Sequence, residues 1–337
     1  MNPVKLLLFL ITVSSLASVG AQELNVYSAR HYDSDDELFA LFTEETGITI
    51  NKIESDAGEL IERIRSEGDS SPADVLITVD ASNLWRADEA GLLAPTESEV
   101  LSAAIPENLR HPEGKWYGLA TRARAIIYNK DAVDPAELST YEALADEAWA
   151  GRVCIRSSSN VYNQSLLASL IAEDGPEAAE AWAAGVVANF ARAPQGGDTD
   201  QIKAVAAGEC DLAVANHYYL ARLIASEDPA DTDVANAVGI FFPNQDVRGT
   251  HVNISGAGVV TGAPNAENAL RFIEFLASPE AQRIFADQNN EYPVIGGLEP
   301  SEQTRSFGDF KTDSVSVASY GEHNAEAVRI FDRVGWQ

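Results

Sequence analysis

Between Glu23 and Gly91 the chain alternates short apolar runs with amphipathic ones, and no other feature of the sequence constrains the fold as much. "ELNVYSA" alternates as a strand does. Asp33 to Thr46 has the period of a helix, with Leu38, Leu41 and Phe42 apolar, an acidic first turn that suits the helix dipole, and Gly47 as its stop. "ITINKI" is a second strand, 57–67 a second helix, "ADVLITV" a third strand, and Leu84 to Ala90 a third helix closing at Gly91. Strands that alternate with helices predict parallel βαβ units. The pattern returns with a strand at 152–156, helices at about 160–172, 176–190 and 198–207, and a strand at 211–215. Between the two sets, Ala125 to Tyr128 is a strong strand; after Pro243, "THVNISGAGVVTG" is another. A helical pair with Ser278-Pro279 at its joint follows, and 323–333 is a last amphipathic helix. The sequence therefore predicts two α/β lobes with the chain crossing near 118–126 and 239–248, which suits 337 residues.

The first 21 residues read as a targeting segment. Lys5 precedes the apolar Leu6 to Val13, and Val19-Gly20-Ala21 sets small residues before a cut at Gln22. The apolar stretch is too short to span a bilayer in a mature protein. The expectation is a periplasmic protein with no integral membrane segment. The net charge is −29, and −30 once Lys5 is removed, which argues against nucleic acid or an anionic membrane as partner. Cys154 and Cys210 sit in "RVCIR" and "GECDLAV". An oxidising compartment permits a disulfide between neighbouring strands; two buried thiols are the alternative.

Ligands of parallel α/β sheets meet the carboxyl ends of strands. Polar residues just after the strands are Arg30, His31 and Tyr32; Asp80; Ser157 to Ser159 and Tyr162; and His217, Tyr218 and Tyr219. In "NHYYLAR" the adjacent tyrosines cannot both face one core. Four of ten tyrosines thus fall at three strand ends. Phenolates are hard, anionic oxygen ligands that suit a hard trivalent cation. A free phenol, with a pKa near 10, is protonated at neutral pH, and a strongly charged cation displaces that proton. Three or four phenolates balance or slightly overbalance a trivalent charge, which points to ferric iron. The His, Cys and carboxylate spacings of zinc are missing, and "DSDDE" lacks the glycine and terminal Glu of a calcium loop. No nucleotide or nucleophile-elbow motif occurs, and "SGAGVVTG" does not open a helix. One of Ser157 to Ser159, or Asn160, is expected to cap the following helix. His111, His251 and His323 read as structural or surface residues.

The segments "NVYSARHYDSD", "PADVLITVDASNLW", "LATRARAIIYNK", "RVCIRSSSNVYNQSLLAS", "GECDLAVANHYYL", "ISGAGVV" and "EYPV" resemble the periplasmic ferric-iron-binding proteins of iron ABC importers, across nearly the whole mature chain. "RHY" and the tyrosine within "SSSNVYNQS" resemble the tyrosine-rich branch first known from cyanobacteria. The resemblance implies a type II periplasmic binding protein, two Rossmann-like lobes joined by two hinge strands around a ligand cleft. Lobe 1 would hold 22–121 plus about 247–300, and lobe 2 about 122–246 plus 301–337. Tyr32, Tyr162, Tyr218 and Tyr219 would bind Fe(III) through phenolate oxygens, with His31 either a ligand or a neighbour of one. Arg122 and Arg124 would line the cleft, at least one as compensating positive charge. The other branch places a Glu after the third strand where this chain has Val79-Asp80, which puts carboxylate ligation and an obligatory anion in doubt. His217 stays outside the ligand set. The expected role is a monomer that captures ferric iron and passes it to a membrane permease with its ATPase. A rival within the fold is a small organic ligand, a polyamine or thiamine, between aromatic walls. A metal-dependent enzyme would need an open coordination position, and five donors leave little room for one; no enzymatic activity is expected.

Overall fold

The computed structural model describes residues 22–337; the targeting segment expected over 1–21 lies outside the described residues. The first three units form as expected. Strand β1 (Glu23–Ser28) leads to α1 (Ser34–Thr46), β2 (Thr49–Glu54) to α2 (Ala57–Glu67), and β3 (Val75–Thr78) to α3 (Ala81–Glu89). Gly47 ends α1 at φ 72°, a left-handed turn that glycine adopts without strain. α3 starts earlier than its apolar period implies, because Asp80 caps it by accepting from the Ser82 amide at 2.8 Å.

After α4 (Glu99–Ala104) comes β4 (Tyr117–Asn129), which is longer than the apolar core that revealed it. Then follow β5 (Val153–Cys154), α5 (Val161–Asp174), α6 (Pro176–Ala188), α7 (Asp198–Ala206), β6 (Leu212–Asn216) and α8 (His217–Ala225). Next are α9 (Pro229–Ala237), β7 (Val238–Phe241), β8 (Val252–Val259), α10 (Ala266–Leu276), α11 (Pro279–Asn289) and β9 (Tyr292–Pro293). The short α12 (Glu302–Arg305) and α13 (Ala318–Glu322) precede α14 (Asn324–Val334). Asn160 caps α5 through the Tyr162 amide at 3.0 Å, as the sequence suggested, and Ser278 caps α11.

The strand order is β2-β1-β3-β8-β4-β6-β5. β1 pairs in parallel with β2 and β3, whereas β8 returns antiparallel between β3 and β4. β4 is shared by two half-sheets. Tyr117 to Ala123 pair with β8, and Arg124 to Asn129 pair with β6 and β7. Every residue from Tyr117 to Ile127 is buried, as expected of a strand covered on both faces. Glycine in "SGAG" serves packing: a Cβ at Gly256 would sit 2.8 Å from the Tyr117 carbonyl oxygen. Cys154 and Cys210 form a disulfide with Cα atoms 5.8 Å apart, linking the β5 and β6 segments. No helix of the described residues is long and apolar enough to cross a membrane.

Candidate metal centre

The tyrosines of "NHYYLAR" stand in the first turn of α8, because β6 ends at Asn216 and the chain turns at once into helix. Tyr218 is buried and Tyr219 half-buried, with ring centroids 4.4 Å apart. Tyr162 is the second residue of α5, and its phenol oxygen lies 3.4 Å from that of Tyr218. Tyr32 lies in the loop between β1 and α1. The guanidinium carbon of Arg222 is 5.2 Å from the Tyr32 ring, 4.8 Å from that of Tyr218 and 5.8 Å from that of Tyr219. One cation thus gathers Tyr32 to the Tyr218–Tyr219 pair, and the Tyr162–Tyr218 contact completes the group of four. All four phenols sit at or just before helix N-termini, where the positive end of the dipole favours anionic oxygen. His31 is exposed beside Tyr32, and its ring takes part in no hydrogen bond among the described residues.

Tyr32, Tyr162 and Tyr218 are held protonated without metal. Burial, then the Glu291 carboxylate, raises the Tyr32 pKa, with Arg122 and Arg30 working against them. Burial and Tyr219 push Tyr162 up to about 12. Burial, then Tyr162, Tyr32 and Tyr219, raise Tyr218 well above its ordinary value.

Arg122 and Arg124 are both buried, so neither is the surface arginine that an exposed hinge would give. They differ in role. Burial works against the Arg122 charge, but Glu291 and the phenols Tyr162, Tyr218 and Tyr32 more than offset it. Its Nη2 donates to Ser255 at 2.9 Å, while Nε and Nη1 have no hydrogen-bond partner. Arg124 instead pairs with Asp198 at 2.8 Å and donates to Asn163 at 2.6 Å, 5.8 Å from the Tyr162 ring.

Three residues had no assigned role in the sequence reading. Arg222 follows Tyr218 by four residues, one helical turn; reading "NHYYLAR" as a helix start would have placed it. Glu291, fully buried, accepts from Arg30 at 3.3 Å and from Ser255 at 3.3 Å. Arg30 also pairs with Asp35 at 3.1 Å, 4.6 Å from the Tyr32 ring. His217 meets the phenol group only edge-on, its ring centroid 5.9 Å from that of Tyr218. It accepts from the Ala123 amide at 3.1 Å, and its other ring nitrogen donates to the Asn290 carbonyl at 2.8 Å. That fixes a neutral imidazole, and burial holds its pKa down to about 4. Asp80 is fully buried and takes hydrogen bonds from Ser82, Ser165 and Asn253. Burial still pushes its carboxyl up to about 6. Among the described residues no three His, Cys, Asp or Glu converge as a metal site. A cavity of about 900 Å³ lies elsewhere, lined by Leu109, Thr121, Tyr292 and Phe310 among others, and by none of the four tyrosines.

This fold and site define an extracytoplasmic solute-binding class. The family model of bacterial extracellular solute-binding proteins matches residues 37–312, and the chain belongs to that family. It is 57% identical to iron uptake protein A1 of Synechocystis over 94% of this chain and 88% of the relative. It is 52% identical to iron uptake protein A2 of the same organism, over 95% and 92% of the two chains. A Trichodesmium protein solved with iron and citrate superposes with a TM-score of 0.91 at 58% identity, over 94% of this chain and 100% of that one. The ferric binding protein of Campylobacter jejuni gives 0.88 at 45%, over 93% and 100%. The expected type II periplasmic binding fold, with two lobes about a cleft, is met by these neighbours, as is the resemblance to ferric-iron-binding proteins of cyanobacterial type.

Proposed function

We infer that the chain captures ferric iron between its lobes and delivers it to an importer. Tyr32, Tyr162, Tyr218 and Tyr219 are its phenolate ligands, and His31 is the imidazole at the rim. The observation that supports this most is the gathering of four phenols from three separate segments around Arg222 and Tyr218. Four phenolates and a trivalent ion leave one negative charge, which Arg222 balances, because the charge of Arg122 is already offset by Glu291 at 3.9 Å. Arg222 also opposes a polyamine, which would bring more positive charge. Tyr32 and His31 belong to lobe 1, residues 22–121 with about 247–300; the other three phenols belong to lobe 2, about 122–246 with 301–337. Closure brings Tyr32 onto a metal held by the second lobe. The mature chain works as a monomer in the periplasm after its leader is removed, and an ABC permease with its ATPase takes the iron.

Ferric citrate added to the purified protein should produce a visible phenolate-to-iron absorption. The double variant Tyr218→Phe/Tyr219→Phe should lose it together with most of the affinity. A wild type that stays colourless, with the variant binding iron equally well, would refute the assignment.

A further inference from the structure

We propose that the Asp80–Ser165 hydrogen bond is a strut that sets the place of Tyr162 relative to Tyr32, making Asp80 and Ser165 positioning residues for metal capture. The inference rests on the reading of Tyr32 and Tyr162 as iron ligands. Its starting point is a carboxylate with more partners than a helix cap requires. Capping α3 needs one acceptor, and the Ser82 amide at 2.8 Å uses it. The remaining capacity goes to Asn253 at 2.8 Å and to the Ser165 hydroxyl, which lies 2.9 Å from one carboxylate oxygen and 3.0 Å from the other. Asp80 is fully buried, so this convergence compensates a costly desolvation. With its acceptor sites filled by protein donors, the carboxylate is not free to ligate a metal.

The partners show what the bond connects. Asp80 follows β3, the neighbour of β1 in the sheet, and the Ala29 amide is bonded to the Ile77 carbonyl at 2.9 Å just before the Tyr32 loop. The Tyr32 segment and Asp80 therefore stand on one rigid edge. Ser165 belongs to α5, which is not part of that sheet, and it lies three residues, about one turn, beyond Tyr162. Ser165 is itself fully buried, and the Ser82 hydroxyl lies 3.1 Å from its own. A hydroxyl at this point of α5 fixes the helix both along and about its axis. In the arrangement of the structure the bond joins the two lobes, and there it sets the Tyr162 phenol at its distance from the Tyr32 loop. Two serines and a carboxylate make a directional link where apolar residues would make a sliding one.

The test is Ser165→Ala, with Ser169→Ala as control: Ser169 is equally buried on the same helix but bonds only to the Leu166 carbonyl at 2.7 Å. The measurement is iron release from the loaded protein into excess chelator. Losing a hydrogen bond to a charged acceptor should speed release by about ten- to a hundredfold in Ser165→Ala, and leave Ser169→Ala near wild type. In a Tyr162→Phe background the Ser165→Ala change should add almost nothing, because the strut acts through that phenol. An equal acceleration in both backgrounds, or equal effects of the two serine variants, overturns the proposal. Amide exchange of the first turn of α5 in the iron-free protein reads the same link without metal: it should quicken in Ser165→Ala alone. Failure of the wild type to take up ferric iron would instead count against the ligand assignment, and the exchange result would still decide for or against the strut.

Discussion

Replacing Tyr162 by phenylalanine should change the number of protons that leave as ferric iron arrives. Burial and Tyr219 place this phenol at about 12, so it is protonated at neutral pH and must lose its proton to bond a metal. The gap is about five pH units, or roughly 7 kcal/mol at ~1.4 kcal/mol per unit, and the trivalent ion has to supply it. Tyr32 and Tyr218 are shifted in the same direction. The sign follows. Metal-free phenols carry protons and bound ones do not, so affinity rises with pH and falls toward acid. Each proton expelled contributes about one decade of Kd per pH unit. Tyr162→Phe keeps the ring that lies 5.8 Å from Arg124 and 5.5 Å from Arg156, and removes only the oxygen. The variant should release about one proton fewer, and its plot of log Kd against pH should be shallower by about one. Ferric nitrilotriacetate titrated into weakly buffered protein with an indicator dye gives the count. Protons taken up by the chelator are common to both proteins, so the difference isolates this residue. Equal counts at full loading would refute ligation by Tyr162.

Two further outcomes concern the scaffold. Cys154→Ser with Cys210→Ser opens a link across 56 residues and should cost about 4 kcal/mol of stability, read as a lower urea midpoint; an unchanged midpoint would contradict a structural role. Because burial depresses the folded pKa of His217 to about 4, while an unfolded histidine titrates near 6.5, stability should be lost as pH falls across that window, by up to ~3 kcal/mol, and level off below it. His217→Gln should flatten that part of the pH profile, and a profile that keeps its slope would place the titration elsewhere.

The parallel units were legible because they rest on local signals. Apolar periods, Gly47 and the capping residues Asn160 and Ser278 each act within a few residues. β9 left no comparable signal: two residues pair with β4 only because α11 delivers them there. The start of α8 was obscured for a related reason. Asn216 caps it without a side-chain hydrogen bond, and its amide is taken instead by Asp198 at 2.8 Å, a partner 18 residues away. The phenols could be singled out because strand ends are predictable and four of the ten tyrosines fall at three of them. Glu291 could not, since its meaning comes from Arg30 and Ser255, 261 and 36 residues distant. Chemistry carried by one residue at a strand end shows in sequence; compensation carried by a network across the sheet does not.

That compensation explains how so acidic a chain can hold an anionic site. The formal charge of −29 is spread over a surface whose distant charges are screened within about 10 Å at ordinary ionic strength. The phenols respond to what lies beneath and beside them: Arg122, fully buried and 3.9 Å from Glu291, and Arg222 against three of their rings. Glu291 acts in the opposite sense, pinning Arg30 while raising the cost of a phenolate at Tyr32. With no metal bound, that balance keeps Tyr32, Tyr162 and Tyr218 protonated. On the proposed ligand set a trivalent ion would reverse it, because one strong charge shared by the phenols would outweigh their deprotonation costs, whereas a divalent ion would leave a further negative charge uncompensated. On that set, preference for a trivalent ion rests on a near balance between the phenolates and the cations set around them, with Arg222 against three of the rings.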